Sequence, residues 1–159
     1  MTFKLIGVLT AVALLGACAD KAATTGAATG SGATSGTAGV TPGSQQDLVA
    51  NVGDRVFYSL DSSSLDGDAR STLDRQASWM ARYPQSGVQV AGNCDERGTT
   101  EYNLALGQRR ANAARDYLVA RGTSSARITA VSYGKERPTA LGSDEQAYAQ
   151  NRNATTSVR

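Results

Sequence analysis

Asp95, Arg97, Asn103, Arg109 and Arg110 fall within one short stretch, Gly92 to Ala111, GNCDERGTTEYNLALGQRRA. The stretch follows a strand-like segment, Val88 to Ala91, and crosses from a loop into a helix. Asp95 and Arg110 carry opposite charges fifteen residues apart. Such a pair grips a zwitterion. The carboxylate accepts from an ammonium, while the guanidinium donates two parallel N–H bonds to a carboxylate. Arg109 points about 100° away from Arg110 around the helix and reads as a structural or surface charge. Gly92 and Gly98 flank the loop and permit close backbone approach to a ligand. Amides there and at the start of the long helix favour an anion.

Other chemistries find little support. The chain has no histidine, so neither a serine nor a cysteine nucleophile has an imidazole base. No metal-ligand cluster is visible, and neither a metal nor a cofactor is expected. A hydrolase using Asp95 and Glu96 as acid and base would need them on opposite sides of one scissile bond, which neighbours in sequence rarely achieve. Two cysteines are present; Cys94 reads as a small residue in or near the core. Net charge is +2 overall. Residues 47–159 hold 14 basic and 13 acidic side chains, so there is no electrostatic case for nucleic acid. Each charged residue also has a local alternative. Asp95 would cap the helix or pair with Arg97, Arg97 would pair with Asp95 or Glu96, Arg110 would make a structural salt bridge, and Asp61 would form a turn.

The elements that must position these groups follow from pattern. Arg55 to Leu60 reads as a strand, followed by turn chemistry at Asp61 to Asp68 with Asp66 as N-cap. Ala69 to Tyr83 is a helix with Leu73, Ala77 and Met80 inward, stopping before Pro84. Val88 to Ala91 is a strand, and Glu101 to Arg121 a long helix with Leu104, Ala111, Ala114 and Leu118 on one face, closed by Gly122. Ile128 to Tyr133 is a strand, Asp144 to Gln150 a short helix, and Ala154 to Val158 a weak last strand whose polar residues weaken packing. The order is β-α-β-α-β-(short α)-β. Helical crossovers require some parallel pairing, which predicts a two-layer α+β fold with a small mixed sheet and helices on one face.

The N-terminus reads as targeting. Residues 1–17 hold one charge, Lys4, then an apolar run too short to span a membrane, as in a secretory signal peptide. The run ends in Leu15-Gly16-Ala17-Cys18, similar to a lipobox, so Cys18 is the expected lipidation site. Ala19 stands where an aspartate would favour inner-membrane retention, which points to the outer membrane. Residues 18–46 read as a flexible tether, since 22 of the 28 residues from Ala19 to Gln46 are Gly, Ala, Ser or Thr and cannot bury enough apolar area to order themselves. Residues 47–159 suffice for one domain.

Gly92 to Thr99, Glu101 to Ala111, Val131 to Pro138 and Asn151-Arg152 resemble the OmpA-like peptidoglycan-binding family, and within it the peptidoglycan-associated lipoproteins. The resemblance covers essentially the whole of 47–159. It implies non-catalytic, non-covalent binding to diaminopimelate in the peptide stems of peptidoglycan. Implied partners are this peptidoglycan, TolB and other Tol proteins, and a membrane through lipid on Cys18, with a role in holding the outer membrane to the wall during cell division. Carried over by motif, the ligand contacts are Asp61, Asp95, Arg97 and Arg110. Gly92, Asn93, Gly98 and Asn103 support the loop, Asn103 at the loop–helix junction. The family usually has histidine where Asn93 stands and a second arginine where Asn153 stands. A wall anchor, a hydrolase and a protein-interaction module that no longer binds wall are the three functional readings.

Overall fold

The computed structural model describes residues 39–159. The signal-peptide reading of 1–17, lipidation at Cys18 and most of the tether lie outside the described residues.

Four helices and four strands alternate: α1 (Gln45–Asn51), β1 (Arg55–Phe57), α2 (Gly67–Arg82), β2 (Val88–Asn93), α3 (Thr100–Ala120), β3 (Ile128–Gly134), α4 (Glu145–Asn151) and β4 (Asn153–Val158), with a 3₁₀ turn at Ser125–Arg127. The sheet order is β1-β4-β2-β3. β2 and β3 are parallel, joined by the α3 crossover, and β4 runs antiparallel to both β2 and β1. The expected mixed sheet and α/β order are therefore present. Side-chain caps set the helix starts: Asp66 accepts from Ala69 N, Thr99 from Tyr102 N and Asp144 from Ala147 N. Gly122, with φ +95°, terminates α3 in the left-handed region that glycine tolerates.

Leu73, Trp79, Met80, Val88, Val90, Ala111, Ala114 and Leu118 form the centre of the core. α3 approaches β2 unusually closely at one point. A Cβ on Gly92 would lie 1.8 Å from Gly107 O, and one on Gly107 would lie 2.3 Å from Ser132 Oγ. Gly92 is thus needed for helix–strand contact, not for approach of a ligand as the sequence suggested. The crossing brings the end of β2 and the first two turns of α3 into one place.

Three further expectations are corrected. Residues 45 and 46 belong to α1, so the boundary at 46/47 falls inside a helix. Leu104 is 41% exposed, and Leu106 takes the inward position. β4 is an internal strand whose polar residues are paired rather than disruptive. Thr156 Oγ1 donates to Gln76 Oε1 at 2.9 Å, and Asn153 Nδ2 donates to Gln150 O at 2.7 Å.

α1 is fastened by Asp47, which accepts from Gly43 N (2.8 Å), Asn51 Nδ2 (2.7 Å) and Trp79 Nε1 (2.9 Å). Gln45 Oε1 accepts from Val158 N at 2.7 Å and ties the helix to β4. The bond from Gly43 N, then those from Asn51 and Trp79, hold the Asp47 carboxyl at about 2 against an ordinary 3.8. A depressed carboxyl pKa adds stability that is complete above the unfolded value and vanishes as pH falls through the folded one. Asp47 is therefore expected to contribute on the order of 2 kcal/mol above about pH 4, lost toward pH 2. Asp47→Asn should flatten that part of a stability–pH curve measured by urea unfolding. For the crossing, Gly92→Ala is expected to destabilise by at least about 3 kcal/mol in the same assay, since backbone rather than a movable side chain blocks the new methyl.

Candidate functional site

A cavity of about 300 Å³ opens where the β1–α2 loop, the β2–α3 loop, α3 and β4 converge. Leu60 and Asp61 come from the first loop, Cys94, Asp95, Arg97 and Gly98 from the second, Tyr102, Asn103, Leu106 and Arg110 from α3, and Arg152 from the junction between α4 and β4. All four sequence-predicted contacts, Asp61, Asp95, Arg97 and Arg110, line this one cavity.

Arg110 is fully buried. Its Nε donates to Ser62 O (2.8 Å), Nη1 to Asn93 O (2.9 Å) and Cys94 Sγ (3.4 Å), and Nη2 to Ser59 O (3.1 Å). A guanidinium has five N–H donors, so four are committed and one, on Nη2, remains. The two-pronged grip on a carboxylate expected from sequence is therefore not available. The Tyr58 hydroxyl donates to the Arg110 carbonyl at 2.9 Å, and the guanidinium lies 5.2 Å from the Tyr58 ring centroid. Burial raises the Tyr58 and Cys94 pKa values, so both stay neutral. Cys94 is the small buried residue that the sequence suggested.

Asp95 is also buried. Its Oδ2 accepts from Arg97 Nη2 (2.6 Å) and Arg152 Nη1 (3.3 Å), and its Oδ1 accepts from Arg97 N and Nε (3.2 and 3.3 Å). Burial pushes the carboxyl upward, but the Arg97 side-chain and backbone bonds and the Arg152 bond together outweigh it and hold the pKa below the usual range. Arg152 also donates to Tyr58 O at 3.2 Å and pairs with Glu145 at 2.8 Å. Glu96 turns away from Asp95 and accepts from the Tyr148 hydroxyl at 2.8 Å.

Asp61 sits at the mouth with φ +55°, and no other described non-glycine residue has positive φ. Its carboxylate accepts from the Tyr102 hydroxyl, which links the β1–α2 loop to α3 across the opening. Asn103 shapes the loop–helix junction as expected, donating to Arg97 O (2.8 Å) and Thr99 O (3.1 Å). Lys135 Nζ steadies the same loop through Gly98 O at 2.7 Å. Gly98 turns it with φ +88°. Asn93 does not line the cavity. It contributes its backbone carbonyl to Arg110, and its side chain donates to Asn153 Oδ1 at 2.8 Å. Arg109 is exposed.

The model of the OmpA family matches residues 57–152, an interval that contains every residue lining this cavity. The chain belongs to the OmpA family. It is 58% identical over 116 residues to a peptidoglycan-associated lipoprotein of Rhizobium meliloti (strain 1021), a match covering 73% of this chain and 66% of that protein. It is 48% identical over 150 residues to one of Mesorhizobium japonicum, covering 94% and 88%. Its fold matches the crystal structure of the peptidoglycan-associated lipoprotein from Burkholderia pseudomallei with TM-score 0.68 and 40% identity, covering 72% of this chain and 99% of that one.

Within this OmpA-family site, sequence reasoning missed Arg152 and Tyr102 as cavity residues. Arg152 lies 57 residues from Asp95, and only the pairing of β4 beside β2 brings them together. Tyr102 had a usable signal. It stands one turn into α3 behind the Thr99 cap, on the side facing the loop. The carbonyl cage of Arg110 gives a sharp expectation. Arg110→Lys keeps the charge but cannot satisfy three separated carbonyls, and should lower stability by about 2–3 kcal/mol in denaturant unfolding.

Proposed function

We propose that the chain is an outer-membrane lipoprotein that binds diaminopimelate in peptidoglycan stem peptides non-covalently. On this reading it works with TolB and other Tol proteins to link the outer membrane to the wall during division. Residues 1–17 are the signal peptide, Cys18 carries the lipid, and the following small-residue tract is the tether. The observation that carries the reading is the single cavity holding Asp61, Asp95, Arg97 and Arg110 together in a chain of this family.

The chemistry fits such a ligand. The free end of diaminopimelate presents an ammonium and a carboxylate on one carbon. Asp95 suits the ammonium. The carboxylate meets the remaining Nη2 hydrogen of Arg110 within a wall that also carries Arg152. A lysine at the same stem position has no such carboxylate and leaves that wall unanswered, which is a strong basis for rejection. Leu60, Leu106 and Tyr102 supply apolar surface for the methylene chain. The hydrolase alternative finds no support in the geometry. Asp95 is clamped by two arginines, and Glu96 bonds Tyr148 instead of facing Asp95 across the cavity.

Co-sedimentation of the detergent-solubilised full chain with purified sacculi tests this. It should pellet with diaminopimelate-type sacculi and much less with lysine-type sacculi. Asp95→Ala should reduce pelleting by about tenfold or more, the usual effect of losing a charged hydrogen-bond acceptor. Equal pelleting with both wall types would remove the diaminopimelate assignment. No pelleting by the folded parent would sink the anchor and leave the protein-interaction reading.

A further inference from the structure

We propose that Arg97 occupies the seat of the ligand's ammonium on Asp95 and vacates it on binding, moving onto Glu145 and Tyr148 of α4. This rests on the diaminopimelate reading above.

The argument begins with the capacity of one carboxylate, which offers about four acceptor positions. Asp95 already accepts four bonds, three from Arg97 and one from Arg152. An ammonium reaches Asp95 only by replacing a donor. The two arginines are not equally replaceable. The Arg152 side chain is 9% exposed, and it is also held by Tyr58 O and Glu145. Moving it would strip a buried cation of its partners. The Arg97 side chain is 39% exposed. Its second set of partners is already in place. Nη1 lies 3.6 Å from Glu145 Oε2, and the guanidinium stands 4.4 Å over the Tyr148 ring centroid. A small rotation exchanges Asp95 for these two and keeps the cation paired. The Arg97 backbone N–H stays on Oδ1, so the loop need not move.

The exchange also sharpens selection. Replacing one cation on Asp95 with another changes the energy little, so a plain amine gains almost nothing. A ligand whose adjacent carboxylate reaches the arginine wall gains that contact in addition. Arg97 thereby makes the pocket demand both charges. It sets specificity through Asp95, and Glu145 and Tyr148 act as its receiving site.

Calorimetric titration of the full chain with free diaminopimelate reads this directly. Arg97→Gln removes the internal competitor and should bind about fivefold tighter, the factor that corresponds to an exposed ion pair worth about 1 kcal/mol. Glu145→Gln should weaken binding by a similar factor. Tyr148→Leu, which spares the Glu145–Arg152 pair, should weaken it likewise. In the Arg97→Gln background the Tyr148→Leu change should no longer matter. Weaker binding by Arg97→Gln would make Arg97 a direct contact and overturn the exchange, as would a Tyr148 effect that persists without Arg97. Failure of both the parent and Arg97→Gln to take up diaminopimelate would overturn it too. Sacculus pelleting that survives in that case leaves the wall-binding reading intact, so the two failures are distinguishable.

Discussion

The buried guanidinium of Arg110 is the constraint on which the site depends. An arginine side chain remains charged under all ordinary conditions, and this one has neither exposed surface nor a carboxylate bonded to it. Backbone carbonyls must therefore surround it. Ser59 and Ser62 supply two from the β1–α2 loop, and Asn93 supplies a third from the end of β2. Two chain segments are gathered on one side chain of α3. The unusual backbone of Asp61 follows. Ser59 and Ser62 both turn their carbonyls to the same cation, so the loop curls tightly and Asp61, the second of the two residues between them, enters the left-handed region. The glycine crossing makes this possible, because only Gly92 against Gly107 lets α3 come close enough for Arg110 to reach the end of β2.

The electrostatic character of the cavity derives from the same arrangement. Tyr58 and Cys94 are kept neutral by burial. The charges that remain are Asp61, Asp95, Arg97, Arg110 and Arg152. Their sum is positive, so an anionic group entering the cavity is drawn to the wall as a whole. The acidic partner is narrower in reach, because Asp95 is buried and held by two arginines. The cavity therefore presents a diffuse cationic wall and one specific carboxylate.

Most elements were legible where local rules decide them. Asp66 and Asp144 are caps in sequence and in structure, and Gly122 ends α3 in both. The misreadings occurred where a long-range contact overrules the local pattern. α1 was hidden by the small-residue tract before it, since only Asp47 and Leu48 of that helix are buried and its stability comes from Trp79 and β4. On α3, Ala111, Ala114 and Leu118 are inward as expected, and only Leu104 is displaced, because the first turns bury Asn103, Gly107 and Arg110 beside Leu106. β4 reads as weak in sequence because Thr156 and Asn153 find decisive partners across the fold, at Gln76, Thr139 and Asn93. In the site, the cluster from Gly92 to Ala111 was legible because one loop and one helix carry it. Arg152 was not, because sheet topology alone places it beside Asp95.

Two departures from the family pattern meet in space. Asn93 and Asn153 lie 60 residues apart in sequence, yet Asn93 Nδ2 donates to Asn153 Oδ1 at 2.8 Å. Asn153 uses every valence of its amide. It donates to Thr139 Oγ1 and Gln150 O and accepts from Asn93 and Thr155. A histidine and an arginine at these positions would add cationic character beside Arg110 and Arg152. Two neutral amides keep the hydrogen bonding and leave out that charge. Removing either amide side chain would leave its partner's polar atoms buried and unanswered, which costs more than the bond itself provides. The pair joins β2 to β4 beside the cavity and leaves Asp61, Asp95, Arg97, Arg110 and Arg152 to set its charge.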